Sequence, residues 1–144
     1  MESVADYMIR PLYPEEIHLL RDFLYEAIFI PEGVEPPSRD VVDLPELRLY
    51  VEDFGKKKDD CCLVVEQDGK VVGAVWTRIM KDYGHVDENT PSLSISLYKA
   101  YRNRGLGSRL MKEMLNLLES KGYHYVSLSV QKANYAVRMY LKLG

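Results

Sequence analysis

Three arginines and two glycines fall within the run Arg102-Asn103-Arg104-Gly105-Leu106-Gly107-Ser108-Arg109, the stretch of this sequence best suited to chemistry. It lies between an apolar-alternating run (Leu93, Ile95, Leu97) and a long amphipathic one (Leu110 to Lys121). A strand, a glycine turn and a helix start in that order direct unpaired backbone N–H groups at one point, where the helix dipole also favours negative charge. Glycine serves such a point twice, because the backbone must curl tightly and a side chain would hold an anion away. The run therefore reads as a phosphate cradle. It is not a Walker loop, since Ser108-Arg109 follows Gly107 where Lys-Ser/Thr is required. Nor is it a dinucleotide fingerprint: Leu110 stands at the third glycine, and Ser127 to Val130 lie where an acidic residue is needed about twenty positions on.

Arg102-x-x-Gly105-x-Gly107 resembles the pyrophosphate-binding signature of the GNAT N-acetyltransferases, Gln/Arg-x-x-Gly-x-Gly/Ala. A plain glycine turn before a helix explains that hexapeptide alone. A second motif argues for more: Asn134-Tyr135-Ala136-Val137-Arg138-Met139-Tyr140-Leu141-Lys142-Leu143-Gly144 is similar to the family's terminal motif of Asn, Ala, Tyr and Gly. The two stand in the family's order, separated by one helix and one strand, and the resemblance extends loosely from about Tyr7 to the end.

With 144 residues, 47% of them hydrophobic, the chain is long enough for one domain with a proper core. A net charge of -3 and a pI near 5.6 argue against a nucleic-acid partner, whose footprint is a basic surface. The arginine cluster is local and suits one polyphosphate ligand. Cys61 and Cys62 sit in an apolar run and read as packed strand thiols, not as a disulfide or metal site. No apolar run reaches membrane-spanning length and the N-terminus lacks the order of a signal peptide, so the expectation is a cytoplasmic protein with no membrane partner.

Along the chain, Tyr7 to Arg10 is a strand, and Ile17, Leu20, Leu24 and Ile28 repeat at helical spacing. Ile30 to Ser38, with three prolines and a glycine, must be a loop. Pro45 and Gly55 bracket a second helix over Glu46 to Phe54. Cys61 to Glu66 and Val71 to Trp76 flank Asp68-Gly69, a hairpin signal, and both are apolar on both faces, which predicts helices on either side of a sheet. Leu93, Ile95 and Leu97 alternate with serines, as do Val126, Leu128 and Val130, so two further strands each carry a small hydroxylated face suited to close helix packing. Leu110, Met111, Met114, Leu115 and Leu118 stripe one helix face as core, and Gly122 stops that helix. The segment from Asn134 is expected to form a last helix.

This order matches the GNAT fold: an α/β domain over 1–144 with a largely antiparallel, mixed central sheet and helices on both faces. The family continues past the equivalent of Gly144 with two strands that are absent here. They have been removed, they come from another chain, or the fold manages without them. The expected consequence is an open edge on the fifth strand and self-association, with a homodimer as one form.

The resemblance implies acetyl transfer from acetyl-CoA to a primary amine of a small molecule or a peptide. It places the pyrophosphate on the turn, so that Arg102, Asn103, Arg104, Gly105, Leu106, Gly107 and Ser108 bind the cofactor, with charge added by Arg109. Leu97 and Tyr98, at the end of the fourth strand, would pair with the pantetheine arm, one N–H polarising the thioester carbonyl as an oxyanion hole does. Asn134 would contact the cofactor arm, although helix capping alone explains an asparagine there. Tyr140 matches the tyrosine that protonates the leaving thiolate. Two departures stand out. Lys99 occupies a position where the family often has proline, and the fourth strand lacks the glutamate that many members use as base. Glu88, with Asp87 and His85 as alternatives, takes that role here, unless ordered water held by strand-four backbone does so. A non-catalytic acyl-CoA-binding module is the alternative function.

Overall fold

The computed structural model describes residues 7–27, 33, 35, 37–56, 59–79, 91–102, 104–130 and 135–140, with side chains up to Val126 and Glu46 excepted. Among these residues six strands form one sheet in sequence order: β1 (Tyr7–Pro11), β2 (Cys61–Gln67), β3 (Lys70–Arg78), β4 (Ser92–Leu97), β5 (Tyr125–Val130) and β6 (Tyr135–Tyr140). Neighbouring strands are antiparallel except for β4 and β5, which run parallel. Among the described residues three α-helices, α1 (Leu19–Ala27), α2 (Pro45–Arg48) and α3 (Leu106–Ser120), accompany the sheet.

The β2–β3 hairpin turns at Asp68 (φ 52°) and Gly69 (φ 82°). Positive φ at both central positions is what lets a two-residue turn match the twist of its strands. The apolar residues of β3 then divide between two cores. Val72 and Val75 join Val65, Leu93 and the α3 stripe Leu106, Leu110, Met114 and Leu118 on one face. Ala74 and Trp76 meet Leu20, Phe23 and Leu24 of α1, together with Tyr50 and Phe54, on the other. Strands that are apolar on both faces are thus covered on both, as their sequence predicts.

The second helix is shorter than its proline and glycine brackets suggest. Helical structure ends at Arg48, and turns carry the chain on to Gly55 at φ 99°. The reason lies in β3. Trp76 donates its indole N–H to the carbonyl of Tyr50 at 3.1 Å, and the Arg78 guanidinium donates to the carbonyls of Leu49 (3.0 Å) and Glu52 (2.8 Å). These bonds tie the backbone from Leu49 to Glu52 to the sheet, so tertiary bonds override local helical propensity. Arg78 also grips Asp60 through two bonds of 3.1 and 3.0 Å, with the two side chains only 4% and 0% exposed. Asp60 in turn accepts the N–H of Gly55 at 2.9 Å.

The last segment differs in kind from expectation. Tyr135–Tyr140 is a strand, paired with β5 from Val130↔Tyr135 to Tyr125↔Tyr140. Its helical spacing competed with an alternation of Tyr135, Val137 and Met139 against Ala136, Arg138 and Tyr140, and tyrosine and valine favour strands. Pairing also satisfies the outer edge of β5, so the open edge expected of the fifth strand is not found. Asn134 lies outside the described residues.

Candidate active site

The turn after β4 passes through a single 3-10 turn (Lys99–Tyr101) and reaches Gly105, which has a left-handed backbone (φ 78°) and is the N-cap of α3. No side chain caps the helix there. The N–H groups of Leu106, Gly107 and Ser108 belong to its first turn, which has no intrahelical acceptors, so an outside acceptor is the natural partner. A Cβ placed on Gly105 would meet nothing within 4 Å, so its surroundings are open. The first-turn N–H groups and the positive end of the α3 dipole thus face open space, an arrangement that can receive an anion.

Beside it the sheet opens. β4 and β5 pair at Ser92↔Ser127 and Leu93↔Leu128, and among the described residues β4 from Ser94 onward pairs with no strand on that side. A groove of about 670 Å³ runs along this side of α3, lined by Ile95 of β4 and by Gly107, Ser108, Met111, Lys112, Leu115 and Asn116. Ser108, Met111, Lys112 and Leu115 share one helix face, offset from the buried stripe Leu106, Leu110, Met114 and Leu118. The sequence reading gave Met111 and Leu115 to the core. They are half-buried, packing against that core with one side and forming the groove wall with the other. Their spacing from Ser108 is the signal that identifies them in hindsight.

The backbone at the end of β4 is divided between two tasks. Tyr98 donates its N–H to the carbonyl of Val72 at 3.0 Å, extending the β3 ladder. Successive strand residues point their backbone groups to opposite sides, so the N–H of Leu97 faces β5 and the opening. Of Leu97 and Tyr98, it is Leu97 whose N–H faces the opening. Its carbonyl is already taken by Arg102 Nε at 3.0 Å.

The arginines are not all gathered at the cradle. Arg102 turns to the last turn of α1, donating to the carbonyl of Glu26 (3.0 Å) and lying 3.4 Å from its carboxylate. Arg104 donates to the Tyr7 hydroxyl at 3.0 Å and lies over the Tyr101 ring. In this arrangement Lys112 lines the groove, and half-buried Arg109 follows Ser108 on α3. Asn103, Asn134, Glu88, Asp87 and His85 lie outside the described residues. Tyr140 is described as backbone only. Its pairing with Tyr125 sets it three residues before Leu128, about 10 Å along β5 on the side away from the opening.

On the opposite face of β4, Ser92 and Ser96 are buried and α1 packs over the strand. Small hydroxylated residues there let α1 approach, as the sequence suggests. The Tyr98 ring lies 4.8 Å from that of Phe23, centroid to centroid. Burial pushes its phenol pKa up, Asp22 and Glu26 push the same way, and Arg39 opposes them. The phenol is thus held neutral, a hydrogen-bonding group at the end of β4 on the α1 side.

This combination of a mixed sheet, a parallel pair that parts midway and an uncapped helix after a left-handed glycine agrees with comparison to known proteins. The description "Acetyltransferase (GNAT) family" matches residues 21–144, and the chain belongs to that family. It is 27% identical over 115 residues to an uncharacterized N-acetyltransferase of Methanocaldococcus jannaschii, covering 78% of this chain and 70% of that one. Among solved structures it resembles a GNAT acetyltransferase of Brucella melitensis in complex with acetyl-CoA. That match has 22% identity and a TM-score of 0.61, over 86% of this chain and 75% of the other. It likewise resembles the PaiA N-acetyltransferase of Thermoplasma acidophilum in complex with coenzyme A, at 20% identity and a TM-score of 0.61, over 89% of this chain and 81% of that one.

Proposed function

We propose that this chain transfers an acetyl group from acetyl-CoA to a primary amine of a small molecule or a peptide. The observation that carries the reading is the placement of the α3 N-terminus beside the opening between β4 and β5, with a groove along α3 between them. One end of such a site suits a diphosphate and the other an extended, hydrogen-bonding arm, the combination that acetyl-CoA presents. The Brucella and Thermoplasma proteins, solved with acetyl-CoA and coenzyme A, support it.

Acetyl-CoA supplies the acetyl group as a thioester, activated toward amines. The N–H groups of Leu106, Gly107 and Ser108 hold the diphosphate, with Lys112 and Arg109 adding charge along α3. Met111 and Leu115 exclude water from the groove wall. The Leu97 N–H, facing the opening, polarises the thioester carbonyl. Glu88 takes the proton of the amine, a role that rests on the residue types in its segment.

Tyr140 is the acid for the departing thiolate, on the strength of the motif spacing. Tyr140→Phe keeps the ring and deletes only the hydroxyl. Turnover is expected to fall about 10- to 100-fold, because water substitutes in part for a lost general acid. The Michaelis constant for acetyl-CoA should barely move, since the lost interaction strengthens mainly in the transition state. Near-normal turnover would leave Tyr140 as a strand residue.

The function itself is tested by following coenzyme A release with a thiol reagent against polyamines, amino acids, aminoglycosides and peptide N-termini. Release with at least one amine is expected. Tight coenzyme A binding with no release from any would instead mark a non-catalytic acyl-CoA-binding module.

A further inference from the structure

Gly73 lies in the middle of β3, opposite Leu97 of β4 on one side and Val65 of β2 on the other. Its neighbours Val72 and Tyr98 form a hydrogen-bonded pair, so Gly73 and Leu97 form the close, non-hydrogen-bonded kind, in which side chains come nearest. The Leu97 side chain occupies the space that a side chain at residue 73 would need. A Cβ there would lie 2.3 Å from Leu97 Cδ2, 3.1 Å from Leu97 Cγ and 3.1 Å from Val65 Cγ1. No real Cβ survives a contact of 2.3 Å, and Val65 closes the other side. The other methyl of Leu97 faces the cradle: Cδ1 lies 3.6 Å from where a Cβ on Gly107 would be, ordinary van der Waals contact. The backbone of the same residue is fixed by Arg102 at its carbonyl. Leu97 is thus a spacer wedged between the sheet at Gly73 and the first turn of α3 at Gly107.

We propose that Gly73 is a positioning residue for the diphosphate site, acting through the Leu97 side chain, which sets how far the α3 N-terminus stands from the sheet. The proposal rests on the reading of that N-terminus as the diphosphate site. Nothing at Gly73 touches ligand. Its backbone is ordinary strand, so the requirement for glycine there comes from the close approach of Leu97 and Val65 alone. Adding a methyl forces Leu97 toward Gly107 and moves the N–H groups of Leu106, Gly107 and Ser108 relative to the β4 backbone. A ligand that spans both elements then loses affinity, whereas one that uses only the groove does not.

The test is calorimetric titration of the full chain and its variants with coenzyme A and, in parallel, with pantetheine, which lacks the diphosphate. Gly73→Ala is expected to weaken coenzyme A by about tenfold or more, the scale of overpacking a tight site, and to leave pantetheine within about twofold. The double variant Gly73→Ala/Leu97→Ala removes the clash but also the spacer, so its coenzyme A affinity should rise from that of Gly73→Ala to that of Leu97→Ala alone, several-fold below the parent. A merely structural glycine predicts a lower melting temperature, equal losses for both ligands or none, and no recovery in the double variant; that result overturns the proposal. Should Gly73→Ala fail to fold, Leu97→Ala alone answers the question. Loss of the spacer should weaken coenzyme A several-fold and spare pantetheine, and unchanged coenzyme A binding overturns the proposal. If the parent chain binds pantetheine but gains nothing from the diphosphate of coenzyme A, the diphosphate reading fails, and the proposal falls with it for a reason distinct from any Gly73 result.

Discussion

Gly105→Val should weaken coenzyme A binding by about 100-fold while costing the fold only a few degrees of melting temperature. The backbone at Gly105 is left-handed (φ 78°), and a β-branched residue there is strained by roughly 1–3 kcal/mol. Relief comes by rotating the turn, which re-aims the first N–H groups of α3. The valine side chain itself meets no protein atom within 4 Å, since the space around Gly105 is open. That space is where the proposed site puts the anion, so branch and phosphate would compete for it. Gly105→Asn separates the two effects, because asparagine tolerates the left-handed region. It should preserve the turn and lose less affinity than valine. Equal binding by parent and Gly105→Val, measured by calorimetry, would remove the cradle from the site.

Arg78→Met is the change expected to hurt stability most. The guanidinium makes two bonds to Asp60 and one each to the carbonyls of Leu49 and Glu52, and the charged pair is almost fully buried. Methionine fills a similar volume but takes the guanidinium away from two carbonyls and from the Asp60 carboxylate, whose charge the Gly55 N–H alone does not balance. Breaking a buried pair from one side costs about 3–5 kcal/mol, which is on the order of 10 °C in melting temperature for a domain of this size. Arg78→Met/Asp60→Leu should recover much of that loss, because apolar replacement of a whole buried pair is often nearly neutral. Thermal denaturation of the parent and the two variants checks both statements. Coenzyme A affinity of the folded Arg78→Met protein should not change, since Arg78 anchors the α2 side of the sheet and the cradle lies at the N-terminus of α3. A variant that melts normally would mean that solvent reaches the pair and screens it.

Much of this architecture is legible in short-range pattern. Asp68-Gly69 announces its turn, the α3 stripe announces its buried face, and Gly105 is needed because the chain must take a left-handed step before a helix. What escapes the sequence is set by partners far along the chain. The second helix stops at Arg48 because Trp76 and Arg78 tie the backbone from Leu49 to Glu52 to the sheet. Arg102 and Arg104 carry the right charge for a diphosphate, yet Glu26 and Tyr7 hold them. Met111 and Leu115 pack against the core as their spacing suggests, but that they also line a groove follows only from the parting of β5 and β4 beside α3. Gly73 gives no local signal at all, since its need for glycine comes from Leu97 across the sheet. The segment around Tyr140 satisfies two periodicities at once, and pairing with the free edge of β5 selects the strand.

The central claim is that a diphosphate binds the first turn of α3 while the attached arm runs beside β4. It is tested most directly by titrating coenzyme A into isotope-labelled protein and following backbone amide resonances. The amides of Leu106, Gly107, Ser108 and Leu97 should move most, and that of Tyr98, committed to the carbonyl of Val72, far less. Shifts that leave the first turn of α3 untouched and gather elsewhere on the sheet would contradict it.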